Sequence, residues 1–194
     1  TNTHLGAILS DGTRILGETN IDIRVEKPEI PIKEVFLKPK AKIFPQARSA
    51  ILKADLIILG PGDLYTSIIP NLLVDGVTDA IAASRATVVL IINLMTKHGE
   101  TDHFTASKFI SETKRYLGQA EKKFSTILLN KEFKNGKSMS WYKRHKSEPV
   151  KDDLNGITDI RVVRRNFVEN GEIRPHLIRH NPQKLARVLV KLLE

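Results

Sequence analysis

Cysteine is missing altogether from these 194 residues. That excludes disulfides and thiolate metal sites and is in keeping with a cytoplasmic setting. No apolar run approaches the roughly 20 residues that a membrane span needs. The longest, Val88 to Leu94, is interrupted by Asn93 and has the length of a buried strand. Aromatic side chains make up only 6% of the chain, and no RRM, KH or zinc spacing occurs, so a specific nucleic-acid binder is not expected. Also absent are a Walker A loop with its lysine, a GxSxG elbow, an HExxH pair and a paired-carboxylate signature. Motifs therefore yield no catalytic nucleophile, and enzyme versus binding protein stays open at this level.

What the chain does have is enough apolar content for a core, 41%, and a formal net charge of +9. The charge is uneven. Residues 51–100 hold three basic and five acidic side chains, whereas residues 101–150 hold eleven and five. The densest stretch, KEFKNGKSMSWYKRHK at 131–146, has six basic residues against one acidic. Such a patch attracts phosphate in a nucleotide, a lipid headgroup or a nucleic acid; its other reading is a solvated lysine-rich surface. The chain begins at Thr1 without methionine, so a native N-terminal segment is expected to be missing.

Periodicity sets the fold class. In HLGAILSDGTRILGE two apolar runs flank Ser10-Asp11-Gly12, a hairpin signal. IDIRV and EVFLKP read as further strands around a proline-bearing loop. From Phe44 the pattern changes: Pro45 opens a helix, Leu56 to Leu59 is a short apolar strand, and Leu64 to Leu73 and Gly76 to Ser84 read as helical, Pro70 breaking or kinking the first. Thr87 to Leu94 is a strand, Ala106 to Leu117 an amphipathic helix and Phe124 to Leu129 a strand. Shorter strand-like pieces lie near Ile160 to Val163 and Ile173 to Ile178. A final helix has Asn181 as N-cap and Pro182 at its first position. Strands alternating with helices imply parallel pairing covered on both faces. The prediction is an α/β three-layer sandwich with a mostly parallel, Rossmann-like sheet and a small antiparallel β excursion near the N-terminus. Residues 1–43 form the β-rich subdomain or insertion and 44–194 the α/β core.

Ligands of parallel α/β sheets bind beyond the carboxyl ends of the strands. Three strands end there on glycine or asparagine: Gly60, Asn93 and Asn130. In GPGDLYTS, Gly60 and Gly62 let backbone amides approach a ligand, and Pro61 stiffens the turn. The next helix directs its positive end to the same place. Tyr65, Thr66 and Ser67 offer hydroxyls. Asp63 repels bare phosphate but suits Mg²⁺ or a sugar hydroxyl. The other reading is a tight strand-to-helix turn capped by an acid. In IRHNPQKLA, Arg179 and His180 precede a capped helix and suit an anion. Trp141 and Tyr142 offer flat faces for a base beside cations. KHGETDH reads as a loop closed by Thr101 or Asp102 rather than as a metal site.

Three stretches carry a resemblance. GPGDLYTSIIPNLLVDGVTDAIAASRATVVLIINLMTKHGETD resembles the central block of the YvcK/CofD family, RHNPQKLA its closing motif, and SDGTRILGETNI its opening strand pair. The resemblance runs from about residue 7 to the C-terminus and is nearest the YvcK-like branch, the gluconeogenesis factors. It departs at Asp63, where serine is common, at Asn181, usually aspartate, and at Lys108-Phe109, where many relatives have Asp-His. The family's glycine-rich N-terminal nucleotide loop has no counterpart here. The resemblance implies a nucleotide-sugar binder of the UDP-sugar type that regulates carbon metabolism, envelope synthesis and cell shape. The alternative is a Mg²⁺-dependent transferase moving 2-phospho-L-lactate onto a deazaflavin, with Asp63 or the missing N-terminal part supplying the Mg²⁺ site. Tyr142 and Arg179 match positions linked with UDP-sugar binding. The expected partner is a nucleotide-sugar or other phosphorylated small molecule, and no cofactor beyond that Mg²⁺ is implied. An uncovered sheet face would favour self-association, and hence a homo-oligomer.

Overall fold

A computed structural model of the chain describes residues 2–133, 137–169 and 177–193, apart from the Lys137 side chain. Three strands, β1 (His4–Leu9), β2 (Arg14–Leu16) and β3 (Ile32–Lys38), form an antiparallel sheet in the order β2-β1-β3. The β1–β2 hairpin closes where the Thr13 amide donates to Asp11 Oδ1 at 2.9 Å. Gly12 there has φ 86°, a left-handed value that glycine adopts without a steric penalty.

IDIRV, which alternation marks as a strand, does not pair. Its first two residues complete a short helix, α1 (Glu18–Asp22). Of the three apolar positions only Ile21 is buried, while Ile23 and Val25 are exposed. Arg24 turns inward instead and donates through Nη2 to the carbonyls of Pro28, Ile30 and Gly99. Three backbone acceptors for one guanidinium nitrogen outweigh the weak preference of a lone strand.

The remainder alternates. Helix α2 (Pro45–Lys53) leads to β4 (Leu56–Leu59), and a π-helical turn, Leu64–Ile68, runs into α3 (Ile69–Leu72). Helix α4 (Val77–Ala83), β5 (Thr87–Ile91) and α5 (Ala106–Leu117) follow. Then come β6 (Phe124–Asn130), α6 (Lys137–Arg144), β7 (Arg161–Arg165) and α7 (Pro182–Val190). Pro70 does not kink a helix, because it falls in the first turn of α3, where its missing N–H would have no partner anyway. Strands β4 to β7 make an all-parallel sheet in sequential order. The strand-like stretch expected at Ile173 to Ile178 lies mostly outside the described residues.

Both faces of that sheet are covered. Val88, Leu90, Ile92, Ile127 and Leu129 share a cluster with Leu64, Ile68, Phe109 and Ile110, which also takes in Leu5, Ala7, Leu9 and Val35 of the antiparallel sheet. The two sheets thus share one buried cluster. On the opposite face Val89, Ile91 and Leu128 pack on Phe167 and Leu185 of α7. Each such side chain contributes about 1.5–3 kcal/mol when fully buried. Asn181 caps α7 by accepting from the Lys184 amide at 2.8 Å. The cover on this second face reaches β4, the edge strand, at Leu56 but leaves Ile58 43% exposed. Among the described residues no helix is long and apolar enough to cross a membrane.

Candidate ligand cavity

Beyond the carboxyl ends of β4 and β5 lies a cavity of about 660 Å³. Its floor is the glycine loop, Pro61 to Asp63, and the turn after β5, Asn93 to His98. Its far wall is Trp141, Tyr142 and His145 of α6 and the turn after it, with Leu177 to His180 closing the side. The loop adopts this path for local reasons. Gly60 has φ 85°, and a Cβ there would lie 3.2 Å from both the Ile91 carbonyl oxygen and Ile68 Cδ1. Asn93 then reaches back and donates through Nδ2 to the Gly62 carbonyl at 3.0 Å, locking loop to strand end.

The structure divides the sequence candidates. Pro61, Gly62, Asp63, Asn93, Tyr142, Arg179 and His180 all line the cavity. Gly60, Tyr65, Thr66, Ser67 and Asn130 do not. Tyr65 is a core residue at 1% exposure, and its hydroxyl donates to Glu112 Oε1 at 2.9 Å. Burial, reinforced by the Glu112 charge, pushes its phenol well above the ordinary range. The π-helical turn explains the misplacement. Ser67 and Ile68 both donate their amides to the Asp63 carbonyl, so the helix opens one residue wide and rotates Tyr65 into the core. Asn130 is buried as well. It holds two strand ends together, accepting from the Phe167 amide at 2.8 Å and donating to the Glu132 carbonyl at 2.7 Å. The phosphate cradle expected of residues 62–67 is correspondingly reduced, because the Ser67 amide is spent inside the turn.

The aromatic wall is ordered by its own contacts. Trp141 stacks on His145 at 3.8 Å between ring centroids and 24° between planes. The Ile178 amide donates to the Tyr142 hydroxyl oxygen at 3.3 Å. Among the described residues the exposed Arg179 side chain has no hydrogen-bond or ion-pair partner. Burial, opposed by a hydrogen bond to the Ile92 backbone, depresses the His180 imidazole to about 4, so His180 is neutral at pH 7.

At the opposite end two lining residues, Asp63 and Lys97, belong to an acidic cluster that continues behind the floor. Asp22, Asp63 and Glu100 each bring an oxygen within 4.8 Å of the others, a spacing that a divalent cation accepts. The Lys97 ammonium already sits among them, 2.7 Å from Asp63 Oδ2 and 2.9 Å from Glu100 Oε1, and in contact with Asp22 Oδ1. Burial pushes the Glu100 carboxyl up to about 7, with Lys97 pulling the other way. Burial also lowers the Lys97 pKa, but Glu100 and the hydrogen bonds to Asp22 and Asp63 more than offset it, and the net shift is upward. With a protonated lysine in their midst, these carboxylates do not fit Mg²⁺ as they stand. In KHGETDH the loop is closed by Asp102, which takes the Gly99 amide at 2.7 Å and pairs with His98, and by Thr101, which takes the Lys97 amide.

Sequence reasoning misses Lys97 and Asp22, and it meets Glu100 only as a member of KHGETDH, read there as a loop rather than a metal site. The one available signal was position, just past the carboxyl end of β5; nothing in the sequence pairs residue 22 with residues 97 and 100.

Fold and cavity together define a parallel α/β protein with an open cavity at the carboxyl edge of its sheet. The model of the family described as 2-phospho-L-lactate transferase CofD matches residues 1–168, and the chain belongs to that family. A relative from Nostoc sp. is 38% identical over 98% of this chain and 41% of its own length. The protein named gluconeogenesis factor from Bacillus subtilis is 35% identical over 98% of this chain and 58% of its own. A crystal structure of a member of the upf0052 family from Bacillus halodurans superposes with TM-score 0.85 at 34% identity, covering 97% of this chain and 58% of that one. The chain therefore spans about half the length of the relatives it matches.

Proposed function

We propose that the cavity binds a nucleotide-linked sugar of the UDP-sugar type, and that the chain serves in regulating carbon metabolism, envelope synthesis and cell shape rather than in turnover. The observation that carries this reading is the polarity of the cavity. One wall offers Trp141 and Tyr142 rings for a base, with the Arg179 guanidinium, which has no partner among the described residues, lining the same cavity for a diphosphate. The other end offers the Asp63 carboxylate and the Asn93 amide, which suit hydroxyls. Three similar proteins that carry the name gluconeogenesis factor favour the regulatory side.

The transferase alternative draws support from the description of the matching family. Phosphoryl transfer needs positioning and charge more than a protein nucleophile, so the missing nucleophile does not count against it. The two are separated by incubating the protein with UDP-N-acetylglucosamine, with and without Mg²⁺, and following binding by titration calorimetry and ligand integrity by chromatography. Intact bound ligand supports the proposal, and consumed ligand supports the transferase. No heat of binding at millimolar ligand would rule out this cavity as a UDP-sugar site.

A further inference from the structure

The three carboxylates around Lys97 come from separate segments: Asp22 ends α1, Asp63 closes the glycine loop and lines the cavity, and Glu100 lies in the loop after β5. Chain segments that converge their acids in this way ordinarily do so around a cation. Here the cation is part of the chain. Lys97 has three ammonium hydrogens, and each of the three carboxylates supplies an acceptor, so its donor capacity is used up.

We propose that Lys97 is a resident cation that takes the place of a divalent metal at this cluster, so that the cluster needs no metal. Three features argue for it together. Asp63 Oδ2 and Glu100 Oε1 stand at 2.7 and 2.9 Å from one nitrogen, which are N–H···O distances. Mg²⁺ would require oxygens at about 2.0–2.1 Å in an octahedron. A dication would also have to enter beside a fixed positive charge, which it repels. Lastly, Glu100 has a side chain only 1% exposed, and its Oε2 has no partner among the described residues. The acids therefore outnumber the charge that neutralises them, and loss of Lys97 leaves three carboxylates facing one another. The arrangement predicts latent metal affinity that the lysine suppresses. For the nucleotide-sugar reading, on which this last consequence rests, binding at this end of the cavity is indifferent to chelators.

The test uses Mn²⁺ alone, with no nucleotide, so its outcome is separate from whether a UDP-sugar binds. Free Mn²⁺ is followed by electron paramagnetic resonance in the wild-type chain, Lys97→Met, Asp63→Asn and the double variant at pH 7.5. The expected result is Mn²⁺ left free by wild type, bound by Lys97→Met at least ten-fold more tightly, and free again when Asp63→Asn is added. Two results overturn the proposal: Mn²⁺ bound by wild type and released by Asp63→Asn, or a folded Lys97→Met that binds no more tightly than wild type. Should Lys97→Met fail to fold, the first comparison decides: Mn²⁺ left free by wild type and by Asp63→Asn alike upholds the proposal.

Discussion

The hydroxyl oxygen of Tyr142 accepts the Ile178 amide hydrogen at 3.3 Å across 36 residues of sequence, so the aromatic wall and the segment carrying Arg179 are held as one surface. Tyr142→Phe removes that acceptor but keeps the ring. The bond is a neutral one in a half-buried place, about 0.5–1.5 kcal/mol, so UDP-N-acetylglucosamine affinity should fall only several-fold. Tyr142→Ala, which also removes the ring, should cost clearly more. Equal losses in calorimetric titrations of the two variants would show that the ring contributes nothing.

Arg179→Ala should weaken the same ligand by ten- to hundred-fold, corresponding to about 1.5–3 kcal/mol for a charge-assisted contact. Arg179→Lys should recover part of the loss, because it restores charge but not the planar fork. Unchanged affinity in Arg179→Ala removes the guanidinium from the site.

Tyr65→Phe separates a core role from a ligand role. The substitution leaves Glu112 Oε1 with only Arg115 as partner, so a stability loss of about 1–3 kcal/mol is expected. Nucleotide-sugar affinity should not change. A variant with wild-type melting temperature and weakened binding would return Tyr65 to the site.

Two groups give the stability opposite slopes in pH. The His180 imidazole, held at about 4 against an ordinary 6.5, stays neutral while the unfolded chain takes up a proton. Its contribution is full above pH 6.5 and lost as pH falls toward 4. The Glu100 carboxyl, raised to about 7 from 4.5, keeps its proton while the unfolded chain releases one. Its contribution is full below pH 4.5 and declines as pH rises to 7. Melting curves between pH 4 and 8 should therefore flatten on the acid side in His180→Gln. In Glu100→Gln the melting temperature should rise relative to wild type as pH goes from 5 to 8. An unchanged pH profile in either variant counts against the burial argument for that residue.

Much of the architecture was legible because it rests on local pattern. The unbroken apolar runs at 56–59 and 88–92, and the stretch 124–129, apolar but for Ser125 and Thr126, read as strands covered on both faces, and Asn181-Pro182 marked the start of α7 to the residue. Where the reading failed, a distant partner intervened. IDIRV alternates like a strand, yet Arg24 finds its acceptors at Pro28, Ile30 and Gly99 and folds the segment back. The hydroxyl face assigned to Tyr65 to Ser67 assumed an α-helical turn; one widened turn moved the tyrosine into the core. Cavity residues in loops at strand ends followed from topology, whereas the Lys97 cluster depends on where α1 sits, which no periodicity encodes.

The bare edge of the sheet makes a prediction about association. Among the described residues β4 has a strand neighbour on one side only, with Ile58 exposed, and Val190 at the end of α7 and Leu193 just after it are each 56% exposed. Open strand edges with apolar neighbours invite pairing. Light scattering behind size-exclusion chromatography should show a molar mass that rises with loading concentration, and Ile58→Lys should suppress the rise. A monomer at every concentration would show that this edge is not adhesive.

The hydrogen bond from Asn93 to Gly62 bears on how quickly a ligand can be taken up. A glycine-rich loop left to itself would sample many shapes and would have to be caught in one of them. Here it is fastened to the end of β5 on one side and, through Asp63, to Lys97 on the other. Its ordering entropy is therefore met at folding rather than at binding. On the proposed binding role, capture at this loop would be a single encounter with a ready surface, its rate limited by diffusion and orientation rather than by loop closure.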